Sequence, residues 1–165
     1  LILADIDLWD LQRRHGIVEP WNADHLQPAS IDLTLGNEFI VNGVKQVLAD
    51  DEAYPLAPGE FILTTTREVV YVPNGYAARV EGRSSWGRKG LLVHATAGFV
   101  DPGFRGTITL ELKNLMQTAT LRLPVGERLC QITYLRCMSR SERPYGSPDL
   151  GSHYQGQSGA TPSVL

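Results

Sequence analysis

Cysteine is almost absent from this 165-residue chain: Cys130 and Cys137 are the two it has, seven apart, with no Cys-x-x-Cys pair and no histidine at zinc-finger spacing. A disulfide framework and a structural zinc are therefore not what is expected to stabilise it. A surplus of one charge is lacking too, since 15 Lys and Arg stand against 18 Asp and Glu, for a formal charge of −3 and a pI near 5.8. Without a basic stripe or a polybasic run, neither nucleic acid nor a membrane surface is an expected partner, whereas a small anion needs only a local cluster of arginines. No apolar run approaches the length of a membrane helix, and the opening Leu-Ile-Leu-Ala-Asp-Ile-Asp lacks the basic start of a secretion signal. A reduced, cytoplasmic setting is the expectation. A chain of this length fits one domain that buries roughly 70% of its unfolded surface.

Helical periodicity is confined to one place. Ile6, Leu8 or Trp9, and Leu11 give an amphipathic helix over residues 5–15, closed by Gly16. Beyond it the pattern alternates: Ile31, Leu33 and Leu35; residues 39–41 before an Asn42-Gly43 hairpin turn; then residues 61–65, 69–72, 76–80, 91–94, 107–113, 119–123 and 129–136. Short strands between Pro, Gly and Asn turns predict a mainly β barrel or sandwich with a short N-terminal helix. From Ser139 the apolar pattern gives way to Gly, Ser, Pro and Gln. This divides the chain into a β domain, 1–138, and a C-terminal arm, 139–165.

The densest chemistry lies between Gly82 and Asn114. Gly-Arg-Ser-Ser-Trp-Gly-Arg-Lys-Gly sets Arg83, Ser84, Ser85 and Arg88 around a short helical turn, a pattern suited to a phosphate. Asp101 then opens Asp-Pro-Gly-Phe-Arg-Gly, in which an aspartate serves equally well as a turn former. On the strand that follows, Ile108, Leu110 and Leu112 share one face, so Glu111 projects to the other with Thr107, Thr109 and Lys113. Read alone, Glu111 is an ordinary solvated strand residue.

This run resembles the dCTP deaminases, relatives of the trimeric dUTPases. Gln27-Pro-Ala-Ser-Ile-Asp-Leu-Thr-Leu-Gly36 is similar to their N-terminal signature. Pro144-Tyr-Gly-Ser, with Tyr154-Gln-Gly-Gln-Ser-Gly-Ala-Thr-Pro-Ser163, is similar to their C-terminal arm. The resemblance implies a dUTPase-like distorted β-barrel or jelly-roll and a homotrimer with active sites between subunits. It implies hydrolytic deamination of dCTP in deoxynucleotide synthesis, with dTTP carried as a candidate feedback inhibitor.

By position, the resemblance makes Glu111 the general base, with a water held by Ser84, the Ala97 carbonyl and Glu111, and Arg88 in the same cluster. An arginine at Arg88 otherwise makes a surface ion pair. Zinc deaminases carry H-x-E and P-C-x-x-C motifs, which this chain lacks, so no zinc and no protein metal site are expected, and Mg²⁺ is expected only on the triphosphate. The nucleotide contacts implied are Arg83, Ser84, Ser85, Trp86, Gly87, Arg88, Asp101, Phe104, Thr109, Leu110, Glu111, Gln131, Tyr145, His153 and Gln157. Of these, Asp101 and Phe104 serve the deoxyribose, and Thr109 and Leu110 the pyrimidine edge.

Ala97-Gly98-Phe99, together with the arm, resembles the bifunctional branch that also cleaves the triphosphate and releases dUMP. Gly98 and Phe99 mark that activity. The rivals are a deaminase that stops at dUTP, a dUTPase, and a silent nucleotide-binding regulator; Glu111 argues against the last two. The chain departs from the family pattern at His153, where a lysine is usual, and at Trp86, where a smaller aliphatic residue is usual. His94, in an apolar run, reads as a satisfied core or interface histidine.

Overall fold

Local rules account for the helix. In the computed structural model, which describes residues 1–164, α1 spans Asp5–His15. Asp7 Oδ2 accepts the Ala4 N–H at 3.2 Å, and Gly16 turns left-handed at φ 59° while its N–H bonds Gln12 O. Leu8 and Leu11 are fully buried, but Ile6 is 79% exposed. The buried stripe is thus the Leu8–Leu11 pair; Ile6 lies about 200° around the helix from Leu8 and faces out. Trp9 packs at 5.5 Å on Trp21.

Among the described residues twelve strands follow: β1 (Val18–Glu19), β2 (Leu26–Gln27), β3 (Ser30–Val41), β4 (Val44–Val47), β5 (Ala53–Leu56), β6 (Phe61–Tyr71), β7 (Tyr76–Gly82), β8 (Leu91–Val93), β9 (Phe99–Val100), β10 (Arg105–Asn114), β11 (Leu121–Pro124) and β12 (Arg128–Arg136). One curled antiparallel sheet runs β8-β10-β6-β3-β12-β7-β9, with β1, β2 and β4 added to it, while β5 and β11 pair separately. Both central residues of the Asn42-Gly43 turn have positive φ, and Val41 faces Val44, as a two-residue hairpin requires.

Two expected strands are one. Residues 61–65 and 69–72 belong to the continuous β6, whose middle is polar yet buried: Thr64, Thr65, Thr66 and Glu68 are all at most 4% exposed. The Glu68 carboxylate accepts the Thr34 N–H and hydroxyl at 2.9 and 2.7 Å, and Thr66 Oγ1 donates to Glu68 O. These bonds offset the desolvation that would otherwise forbid such a strand. Tyr134, fully buried, shares its hydroxyl between Ile17 O and Tyr71 O, so burial pushes its ionisation up.

Candidate active site

Strand pairing places Glu111. β10 lies between β6 and β8, and the Leu112–Val93 register sets the residue that follows β8 opposite Glu111. That residue is His94, whose Nδ1 accepts the Glu111 N–H at 3.0 Å. An accepting Nδ1 belongs to the neutral ring. Burial lowers the pKa of His94, against the pull of the Glu111 charge and a hydrogen bond with the Ala97 backbone. The Glu111 carboxylate is held through Oε2, which accepts from Thr96 N at 3.0 Å and Thr96 Oγ1 at 3.1 Å. His94 therefore borders the site and lies outside the core. Sequence reasoning missed it and Thr96 among other site residues, although the β8–β10 register would have pointed to His94.

Glu111 opens on a cavity of about 670 Å³ that Ala97, Phe99, Asp101, Phe104, Thr109, Tyr145 and Gln157 also line. Ile108 lines it too, contrary to simple alternation. The ladder to β6 shifts between Thr107, opposite Val69, and Thr109, opposite Thr65, and Ile108 N–H bonds Thr66 Oγ1 instead of a backbone carbonyl. Leu110 is fully buried and does not line the cavity. The wall beside Asp101 is a tight turn, with Phe104 N bonded to Asp101 O and Gly103 at φ 95°. Phe104 packs at 5.8 Å on Tyr145, whose hydroxyl accepts the Tyr154 N–H. Gly98 must be small, since a Cβ there would lie 2.8 Å from Val80 O.

The arm lies along the free half of the β10 edge. Gly156 N bonds Arg105 O, Thr107 N bonds Gln157 O, and Gln157 Nε2 returns to Thr107 O at 2.7 Å. His153 is exposed in an adjoining cleft of about 370 Å³, which shares Asp101, Tyr145 and Tyr154 with the main cavity and adds Arg143.

The arginine-serine segment is elsewhere. Helix α2 (Ser84–Gly87) presents Ser84, Ser85 and Gly87 to solvent, as is Arg88 just after it, and none of the four lines the cavity. Trp86 turns inward, 6% exposed, under the Lys89 ammonium at 4.4 Å, so it is a core residue rather than a surface contact. Arg83 Nε lies 3.2 Å from buried Asp32, which Arg128 also approaches at 3.4 Å. Desolvation raises the Asp32 pKa, with both arginines pulling against it. Gln131, on β12 opposite Asp32, accepts from the Ser30 hydroxyl at 3.2 Å. Among the described residues, no three His, Cys, Asp or Glu side chains converge as a metal site, and no helix is long and apolar enough to cross a membrane.

The family model described as dCTP deaminase-like matches residues 2–137. The chain belongs to the dCTP deaminase-like family. Relatives within it named "dCTP deaminase, dUMP-forming" include those of a Nocardioides species, 45% identical over 99% of this chain and 94% of that one, and of Thermobifida fusca, 43% identical over 99% and 92%. The dUTPase-like fold is shared with two solved structures. The 2'-deoxycytidine 5'-triphosphate deaminase of Agrobacterium tumefaciens superposes with a TM-score of 0.68 at 22% identity, covering 81% of this chain and 47% of that longer one. A dUTPase of Staphylococcus bacteriophage 80alpha superposes at 0.52 and 19% identity, covering 74% and 85%.

Proposed function

We propose that the protein deaminates dCTP by hydrolysis and also cleaves the triphosphate, so that dCTP and two waters give dUMP, ammonia and pyrophosphate. The observation that carries this reading is a glutamate fixed by Thr96 at the wall of a nucleotide-sized cavity, in a chain with close relatives of that name over nearly its whole length. A water between the Ala97 carbonyl, the Ser84 hydroxyl and the Glu111 carboxylate loses its proton to Glu111 as its oxygen attacks C4. Glu111 delivers that proton to N3 and then carries the remaining hydroxyl proton from the C4 oxygen to the amine; the C4–N4 bond breaks, ammonia leaves, and C4 keeps the oxygen as a carbonyl. A positioned base of this kind contributes about 10² to 10⁴ in rate.

Within one chain, Ser84, Ser85 and Arg88 lie off the Glu111 cavity and in solvent. Their exposure supports a homotrimer in which one subunit presents this segment to the cavity of the next. Asp101 and Phe104 hold the deoxyribose, Thr109 and the Leu110 backbone read the pyrimidine, and residues 139–165 close the site with Tyr145, His153 and Gln157. Mg²⁺ arrives on the triphosphate, bound by phosphate oxygens and water. A pyrimidine triphosphate without the 4-amino group, dTTP, competes for the same cavity. Gly98 and Phe99, the latter lining the cavity, belong to the triphosphate-cleaving activity.

The test is product analysis after incubation with dCTP and Mg²⁺. Ammonia, dUMP and pyrophosphate in equal amounts are expected. Ammonia with dUTP would remove the cleavage step, and no ammonia would remove deamination. Dialysis against a zinc chelator followed by Mg²⁺ should restore full activity.

A further inference from the structure

At its far end the arm leaves β10 for a different strand. Ala160 N–H donates to Glu38 Oε2 at 2.9 Å, and the same oxygen lies 2.8 Å from Lys45 Nζ. Lys45 stands opposite Ile40 across the β3–β4 hairpin, which makes it the diagonal neighbour of Glu38 on one face of the ribbon. We propose that Glu38 is a positioning residue that latches the arm over the nucleotide cavity, its carboxylate bridging Lys45 and the Ala160 amide. This rests on reading the cavity as the nucleotide site.

The arm is shaped for this contact. Gly159 has φ +73°, and a Cβ built on it would fall 1.8 Å from Glu38 Oε2, so the carboxylate occupies the space that only glycine leaves open. Ala160 is 4% exposed, tucked under the latch. One residue on, Thr161 N–H bonds Thr109 Oγ1 at 3.2 Å, and both threonines line the cavity, with Thr109 two residues before Glu111. On the near side, the Thr107 hydroxyl donates to Gly159 O at 3.3 Å. A carboxylate on β3 thereby fixes where Thr161 sits against the wall that reads the pyrimidine. The ion pair with Lys45, the largest cause of the lowered Glu38 pKa, holds that carboxylate charged as an acceptor.

Amide hydrogen exchange at residues 159–161 and steady-state kinetics on dCTP, both on the full chain, test the latch. In Glu38→Ala, exchange at these amides is expected to rise about tenfold or more, as expected when a local contact is lost without global unfolding. KM for dCTP should rise about fivefold, the worth of one hydrogen bond, with kcat within about twofold. The Glu38 side chain is 27% exposed, so Tm should stay in place. Glu38→Gln, which keeps an acceptor oxygen, should recover most of both losses, and Lys45→Met should lose less than Glu38→Ala.

Unchanged exchange in Glu38→Ala overturns the latch whatever the kinetics show. A fall in Tm with kcat and KM both altered, unrelieved by Glu38→Gln, also overturns it in favour of a purely structural role. Faster exchange with an unchanged KM leaves the latch standing but overturns the reading of the cavity beneath it as the nucleotide site.

Discussion

Two stretches separated in sequence by β8 and β9 differ sharply in how complete they are. On β10, Glu111 has its amide bonded to His94, its carboxylate to Thr96, and a walled cavity in front of it. In residues 83–88, only Arg83 and Trp86 are tied down, Arg83 to buried Asp32 and Trp86 in the core, while both serine hydroxyls and Arg88 face water. A strand can preorganise a single carboxylate because its neighbours in register supply the donors. A one-turn helix cannot close around an anion by itself. The first half of the candidate site is finished within one chain, whereas the serines and Arg88 of the second stand open to solvent.

The change expected to matter most is made in the finished half. Glu111→Gln keeps the shape and the Thr96 contacts but removes the proton acceptor, so deamination should fall by about 10² to 10⁴ while dCTP binding, read by calorimetry, is largely kept. Near-normal turnover would take Glu111 out of the chemistry. The unfinished half is tested by mixing subunits. Ser84→Ala and Glu111→Gln should each be nearly inactive alone. Co-refolded in equal amounts as trimers with shared sites, they should regain about a quarter of wild-type activity, because one site in four then joins an intact Glu111 to a neighbour's intact Ser84. If the mixture stays inactive, each chain completes its own site and the contrast between the halves is only apparent.

What the sequence made legible follows the same division. The helix over 5–15 and the Asn42-Gly43 hairpin are written in local chemistry, a left-handed glycine at one end and a pair of positive-φ residues in the other. β6 is less readable because Thr64, Thr65, Thr66 and Glu68 are buried through hydrogen bonds to other strands, and no periodicity announces that. β4 is exposed throughout and shows no alternation. The bulge that turns Ile108 toward the cavity depends on the Thr66 hydroxyl, 42 residues away. Glu111 itself was legible through resemblance, whereas His94 emerges only when β8 is laid against β10. Local signals reach the ends of elements; the site is made by register.

The arm offers a smaller effect. Truncation after Ser147 removes Tyr154, Gln157 and the Glu38 contact but leaves the buried strands untouched, so Tm should hold within a few degrees. The kcat/KM for dCTP should drop about 10- to 100-fold, the loss of roughly 1.4 to 2.8 kcal/mol of closing contacts. A truncated protein with full kcat/KM would show that the finished half needs no cover.

The finest test lies at His94, within the finished half, since it is bonded to the Glu111 amide and lies two residues before the Thr96 that holds the carboxylate. Its folded pKa is lowered, mainly by burial, so the unfolded or opened chain binds the proton more readily than the closed site does. The contribution of His94 is therefore fully present above the ordinary histidine range, and it is lost as pH falls below that range toward the lowered folded value. Protonation removes the Nδ1 acceptor and frees the Glu111 amide, a cost of about 1 kcal/mol or a factor of about five in kcat/KM. His94→Asn can keep an acceptor near that amide and does not titrate. Its kcat/KM on the acid side should decline less steeply than that of the wild type, with the two profiles parallel at alkaline pH, where the His94 ring is neutral. Superimposable acid limbs would mean that the imidazole stays neutral throughout.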